Sequence, residues 1–299
     1  MHYFWAFGFL IQSDTPISQL TDVDDQGRKP DIVIQKADLD SFHAALTPGI
    51  TCLFSSQSHY FETYGSGRYL VEKGSIIRYQ NTDNATTEQL SAYLMGPCMG
   101  TALHQRGINP LHCSCVADDH RAIIICGDSG AGKSTLASEF MKNGWKLLTD
   151  DVAAVETVDQ IPIVHPSYPS QKLWQDSLEE YKHDSGKIHS LYGRPDGMKY
   201  GVDVSDYFLK DPRPLSLIIW LVPGEEPCAL RPVTGMEKIH LLVTNTYNAI
   251  MVMPEERQNL FRRCVELASK VPMVHLNRQK GISCAGMLYD MITEFLEEK

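Results

Sequence analysis

The chain has 299 residues, 43% of them apolar and 21% charged, and its 27 Lys and Arg against 37 Asp and Glu give a formal net charge of −10. This composition is close to the globular average and excludes a disordered chain, leaving material for one large domain or two ordinary ones. The acidic balance argues against non-specific binding to nucleic acid or to an anionic membrane surface.

Phe4 to Ile11 is apolar but short, and it lacks a basic flank and a small-residue cleavage site, so it reads as a strand rather than a signal peptide. No run approaches the roughly eighteen apolar residues of a membrane span. The eight cysteines show no C-x-x-C pair and no Cys/His metal spacing, which points to reduced thiols and a cytoplasmic protein. In that setting the acceptor pattern Asn84-Ala85-Thr86 is expected to be idle. Asp22-Val-Asp24-Asp25-Gln26-Gly27 starts like a calcium loop, but Gln26 and Val33 occupy ligand places, so a solvated turn is expected.

Arg68 to Tyr79 reads as a hairpin turning at Gly74. Thr86 or Thr87 is an N-cap candidate for a helix carrying Leu90, Tyr93 and Leu94, which Gly96-Pro97 should kink or divide before Arg106-Gly107 ends it. A strand-rich module over residues 1–86 is therefore expected, followed by a second domain over 87–299. In the second part Ala122 to Cys126 is a strand buried on both faces, and Lys133 to Asn143 is a helix closed at Gly144. Trp145 to Leu148, Val152 to Val155, Leu215 to Val222 and Met273 to Leu276 read as strands. Helices are expected from about Glu255 to Lys270 and at the end to about Leu296. Strands alternating with helices indicate an α/β fold.

Between the buried strand and the helix lies Gly127-Asp128-Ser129-Gly130-Ala131-Gly132-Lys133-Ser134, followed by Thr135, which is G-x-x-x-x-G-K-[ST] in its strand–loop–helix setting. Glycines let such a loop wrap closely, so that backbone N–H groups face phosphate oxygens. Lys133 would reach the β and γ phosphates of ATP or another nucleoside triphosphate, and Ser134 would ligate Mg²⁺. Asp150-Asp151 follows seventeen residues after Lys133, at the end of the expected Trp145–Leu148 strand. The expected eleven-residue helix Lys133–Asn143 runs back about 16 Å and a five-residue strand returns about as far. The two aspartates therefore arrive level with the loop. One carboxylate there can hold Mg²⁺ through water, and the other can take a proton from an attacking hydroxyl.

At these residues the sequence resembles the HPr kinase/phosphorylase-like P-loop proteins, which carry a G-x-S-G-x-G-K-S loop and then a strand ending in Asp-Asp. His112, fifteen residues before Gly127 in Leu111-His112-Cys113-Ser114, matches a family histidine. The resemblance implies a P-loop kinase domain using ATP and Mg²⁺, with Asp150 as general base for a serine hydroxyl and Asp151 with Ser134 at the metal. It implies that Lys133 holds the nucleotide, and that His112 supports the phosphate or the base. It places Lys210 at the family's catalytic basic position, with Arg213 as a nearby substitute. The family's glutamate–arginine signature has no counterpart in Pro166 to Trp174, and Thr135 replaces a frequent glutamate. The layout as a whole resembles a divergent branch that phosphorylates a serine of lasso-peptide precursors. The implied partner is thus a peptide or small protein, with HPr, a small molecule, or nucleotide binding without transfer as alternatives. Assembly as a homo-oligomer is also implied.

Cys113 and Cys115 are expected to be buried core thiols. Lys187, Arg194 and Lys199 lie in a Gly-rich stretch that reads as a polar loop or a lid, and Arg262-Arg263 as the solvated face of a helix.

Overall fold

A computed structural model describes residues 1–47, 49–55, 57–63, 65–82, 85–175, 188–194, 197–249, 252 and 254–298. Among them the strands form three sheets. The first contains β1 (His2–Ala6), β2 (Phe9–Ser13), β3 (Ile32–Lys36), β4 (Cys52–Phe54), β5 (Ser58–Thr63), β6 (Gly67–Glu72) and β7 (Ile76–Asn81), in the order β1-β2-β3-β7-β6-β5-β4. The single strand expected over Phe4–Ile11 is instead a hairpin. Phe7 and Gly8 take φ of 57° and 82°, the left-handed pair that a tight two-residue turn requires. The hairpin at Gly74 forms as expected, and its strands pair from Gly67↔Asn81 to Glu72↔Ile76. The short helix α1 (Asp40–Ala44) follows β3. Asp24 and Asp25 accept from the N–H groups of Gln26 and Gly27, as in a turn. Asn84 lies outside the described residues.

Thr86 caps α2 (Thr87–Tyr93) with a complete capping box, its hydroxyl accepting from Gln89 N–H while the Gln89 side chain accepts from Thr86 N–H. Gly96-Pro97 divides this stretch as expected, through a π-helical turn over Leu94–Cys98 that leads into α3 (Met99–Gln105). Proline cannot donate to the i−4 carbonyl, and a widened turn absorbs it. Gly100 lets α3 meet Tyr247 closely, because a Cβ there would stand 2.6 Å from Tyr247 Cδ1.

The second sheet contains β8 (Asn109–Ala117), β9 (Ala122–Cys126), β10 (Lys146–Val158), β11 (Ile161–His165), β15 (Arg213–Gly224), β16 (Ala229–Pro232) and β17 (Met273–Gln279). Their order is β11-β10-β8-β9-β15-β17-β16, and β11 also pairs with β15, so the sheet curls toward itself. Strands β9, β15 and β17 are mutually parallel, the arrangement expected of an α/β fold. Helix α4 (Lys133–Lys142) follows β9, while α5 (Met236–Thr244), α6 (Pro254–Lys270) and α7 (Ala285–Glu297) complete the layers. A small third sheet holds β12 (Ser170–Trp174), β13 (Ile188–Arg194) and β14 (Gly197–Asp203), in the order β12-β14-β13.

Three expectations need correction. The strands read at Trp145–Leu148 and Val152–Val155 are one strand, β10, whose later half pairs with the first residues of β8. Arg263 is half-buried and donates from Nε to Asn109 Oδ1 at 2.9 Å, so it is not on a solvated face. The boundary expected at residue 86 divides the sequence but not the packing, since one apolar core joins Phe4, Ile34 and Tyr69 to Leu94, Met99 and Leu103 and to Val152, Ala154 and Tyr168. Phe7 N–H also donates to Pro166 O at 2.7 Å. Cys113 and Cys115 are fully buried, and all eight cysteines are unbridged. Among the described residues no helix is long and apolar enough to cross a membrane.

Gly100→Ala should gain about 1 kcal/mol of helix propensity but overpack Tyr247, at a cost of about 1–3 kcal/mol. The expected net result in urea unfolding is a loss of roughly 1 kcal/mol.

Candidate functional site

The loop expected from sequence stands at the carboxyl end of β9, where open α/β sheets collect their ligands. It borders a cavity of about 370 Å³. Ser129, Gly130, Gly132, Lys133, Ser134 and Thr135 line this cavity. Gly127, Asp128 and Ala131 shape the loop without lining it. Gly127 backs onto the Leu221 carbonyl, and Ala131 is buried beneath the loop. The Lys133 ammonium donates to the Gly127 and Asp128 carbonyls at 2.8 and 3.1 Å.

Asp150 pairs in register with Ser114, and Ser114 with Ile125, which places the aspartate level with the end of β9. Adjacent residues of a regular strand face opposite ways, yet Asp150 and Asp151 both line the cavity. A bulge between Leu147 and Thr149 and a φ of 143° at Asp151 break the alternation. Non-glycine backbone in that region stores strain, and such strain gathers at functional sites.

The two carboxylates have different partners. Asp150, only 3% exposed, accepts from the hydroxyl of Ser114, from Ser134 Oγ at 3.0 Å and from Lys172 N–H at 2.7 Å. Asp151 accepts from Lys172 Nζ at 2.6 Å, with His112 Nδ1 3.4 Å away. The same His112 nitrogen stands 3.1 Å from the Asp151 carbonyl oxygen. Burial alone would raise the Asp151 carboxyl, but the Lys172 ammonium and then His112 outweigh it and hold it far below the usual carboxylate range. Burial would likewise lower Lys172, and Asp151 instead raises it well above the ordinary lysine value. Asn245 clamps His112 through both backbone groups. Tyr247 stands beside the histidine at 5.9 Å between ring centroids. The π turn reaches the site too: a Cβ on Gly96 would lie 3.0 Å from Tyr247 Oη and 3.8 Å from Asp151 Oδ2. Burial first, and then the Asp151 charge, push the Tyr247 hydroxyl well above its usual value, so it stays protonated.

Of the residues expected here, Lys210 and Arg213 are not brought in. Lys210 is exposed and is not a lining residue. Arg213 Nε faces the Asp118 carbonyl in the turn between β8 and β9, the sheet end away from the loop. The reason is topological: β15 runs parallel to β9, so residues preceding it enter at the amino end, opposite the ligand side. The cationic lining residues that the sequence did not single out are Lys172, on β12, and Arg278, near the carboxyl end of β17. The position of Arg278 near the carboxyl end of a parallel strand is a usable signal. Lys172 gave none, because β12 reaches the site only by packing beside α4, where Gln171 meets Ser134 O and Ser138 Oγ. Lys187 lies outside the described residues, as do the side chains of Arg194 and Lys199.

No protein-family model and no curated protein sequence matches the chain. Among solved structures it is similar to the Hpr(Ser) kinase/phosphatase from Coxiella burnetii, at 14% identity over 63% of this chain and 91% of that one, with a TM-score of 0.36.

Removing one member of a buried ion pair costs about 3–5 kcal/mol. Lys172→Met should lose stability of that order in urea at neutral pH, and Lys172→Met with Asp151→Asn should recover most of it. The sign with pH follows from the lowered carboxyl. Its contribution is complete above the unfolded value of 3.8 and is lost as pH falls through the lower folded one, so Asp151→Asn should flatten the acid limb of stability.

Proposed function

We propose that the protein is a phosphotransferase that uses a nucleoside triphosphate, in its specific form an ATP- and Mg²⁺-dependent kinase acting on a serine hydroxyl of a peptide or small protein. The observation that carries this reading is the convergence, in one cavity, of the phosphate loop with Asp150 on Ser134 and Asp151 on Lys172 and His112. A loop that bound phosphate for structural reasons alone would not need two differently partnered carboxylates beside it, one buried and one half-buried.

Among the described residues no three His, Cys, Asp or Glu side chains cluster to hold a metal. Mg²⁺ on a nucleotide needs only one or two protein oxygens, with phosphates and water supplying the rest. Ser134 Oγ and the Asp150 carboxylate, 3.0 Å apart, fit that demand. When bound, the ion neutralises charge on the phosphate oxygens. In this reading Asp150 and Ser134 form the metal side. Asp151 with His112 forms the acceptor side, which reverses the roles that the resemblance implies for the two aspartates. Lys133 and Lys172 bring positive charge to the transferring group. Once the Lys172 ammonium turns toward phosphate, Asp151 loses its strongest acidifying partner and becomes basic enough to take the hydroxyl proton. His112, clamped by Asn245, and the protonated Tyr247 orient that carboxylate and the acceptor.

The acceptor class rests on the sequence resemblance, and a lasso-peptide precursor is its sharpest form. A nucleotide-binding module without transfer is the second reading, favoured by Lys210 and Arg213 lying outside the cavity.

Asp151→Asn should lower transfer by about 10²- to 10⁴-fold while nucleotide affinity stays within about threefold. Asp150→Asn should also abolish transfer, and in addition should erase the Mg²⁺ dependence of nucleotide affinity. Transfer is read as a phosphate mass gain on peptides encoded near the gene, and affinity by calorimetric titration with and without Mg²⁺. Nucleotide binding with no product on any peptide, HPr or small-molecule acceptor would favour the second reading.

A further inference from the structure

Arg278 is left unexplained by the acceptor-side chemistry. It stands on β17 opposite Pro223 of β15, three residues beyond the rung where His275 pairs with Trp220 and Trp220 with Cys126. It thus overhangs the end of the sheet that carries the phosphate loop. Relative to β9 it lies on the β15–β17 side, whereas His112, Asp150 and Asp151 lie on the β8–β10 side. The guanidinium covers Gly132: a Cβ added there would stand 3.4 Å from Arg278 Cδ and Nε and 3.8 Å from Cζ. A side chain at position 132 would therefore stand in van der Waals contact with the arginine, and it would meet the strain of a φ of 103°.

Two further facts concern its charge. Among the described residues no carboxylate forms an ion pair with Arg278, although the chain carries a net charge of −10. Its Nε is buried without a hydrogen-bond partner. A buried, unpaired guanidinium nitrogen is costly, and it gains most from a charged oxygen ligand that fits its planar fork. Such a donor, held over the loop glycine next to Lys133, faces the place where a diphosphate would lie.

We infer that Arg278 binds the phosphate chain of the nucleotide on the side away from the acceptor. This rests on the reading of the loop as a nucleotide site and adds to it a second cation that grips nucleoside diphosphate and triphosphate alike. Lys172 belongs to the acceptor side, where only the transferring group reaches. Arg278 is therefore an affinity residue, and its loss should act on binding before it acts on the chemical step.

The test is calorimetric titration of the full chain with ADP and separately with inorganic pyrophosphate, for wild type, Arg278→Met and Arg278→Lys. Removing a charged hydrogen bond to phosphate should weaken both ligands about 10- to 100-fold in Arg278→Met, and Arg278→Lys should recover only part of that, lacking the fork. Melting temperatures close to wild type would show that the fold survives. If pyrophosphate binds Arg278→Met as tightly as wild type, the inference is overturned even if ADP weakens, because the arginine would then serve the base. If wild type binds neither ligand, the nucleotide reading itself fails and the inference falls with it. If wild type binds both but transfers to no acceptor, the proposed kinase activity fails while the role of Arg278 is still decided by the titrations.

Discussion

One buried carboxylate holds the candidate site together. Asp150 is almost wholly removed from water, and a polar group in that position is tolerated only when its lone pairs are met by donors. Its donors come from three separate pieces of chain: Ser114 on β8, Ser134 at the start of α4 and the Lys172 backbone on β12. Fixing Asp150 therefore fixes the sheet, the phosphate loop and the third sheet against one another. It also delivers Lys172 to Asp151, since the residue whose N–H bonds one aspartate sends its ammonium to the next.

The parts of this arrangement visible in the sequence were those set by local rules. The phosphate loop is a contiguous motif between a buried strand and a helix. The level at which Asp150 returns follows from the rise of a helix and of a strand. The caps at Thr86 and the break at Gly96-Pro97 have stereochemical signatures of their own. What escaped was set by topology or by departures from regularity. Leu148 to Asp151 read as a strand end because polar residues interrupt the apolar pattern, whereas a bulge and a left-handed Asp151 carry the strand through. The resemblance puts Lys210 at a catalytic basic position, whereas the direction of β15 carries that residue to the end of the sheet away from the loop. Lys172 sits in a stretch that carries no motif, and only packing of β12 beside α4 gives it a role.

The site also answers how a strongly acidic chain can present a locally cationic cavity, as the proposed phosphate site requires. Lys133, Lys172 and Arg278 line one cavity together with the amino end of α4, whose backbone N–H groups add partial positive charge. The acidic groups facing that cavity are tied up: Asp150 by hydroxyl and amide donors, and Asp151 by an ammonium. The field over the loop is thus set by a few oriented groups and differs in sign from the average over the molecule.

The core shared across residue 86 has a consequence for how the chain is made. The turn of the first hairpin bonds to Pro166, and Phe7 meets the Tyr168 ring, so the first hairpin finds these partners only after β11 has been synthesised. At about 5–20 residues per second, the apolar face of the first sheet stays partly uncovered for roughly ten seconds beyond its own synthesis. Contacts of such long sequence separation slow folding and leave strand edges open to strangers. The joint that ties the two ends of the core together thus sets the order in which that core can close.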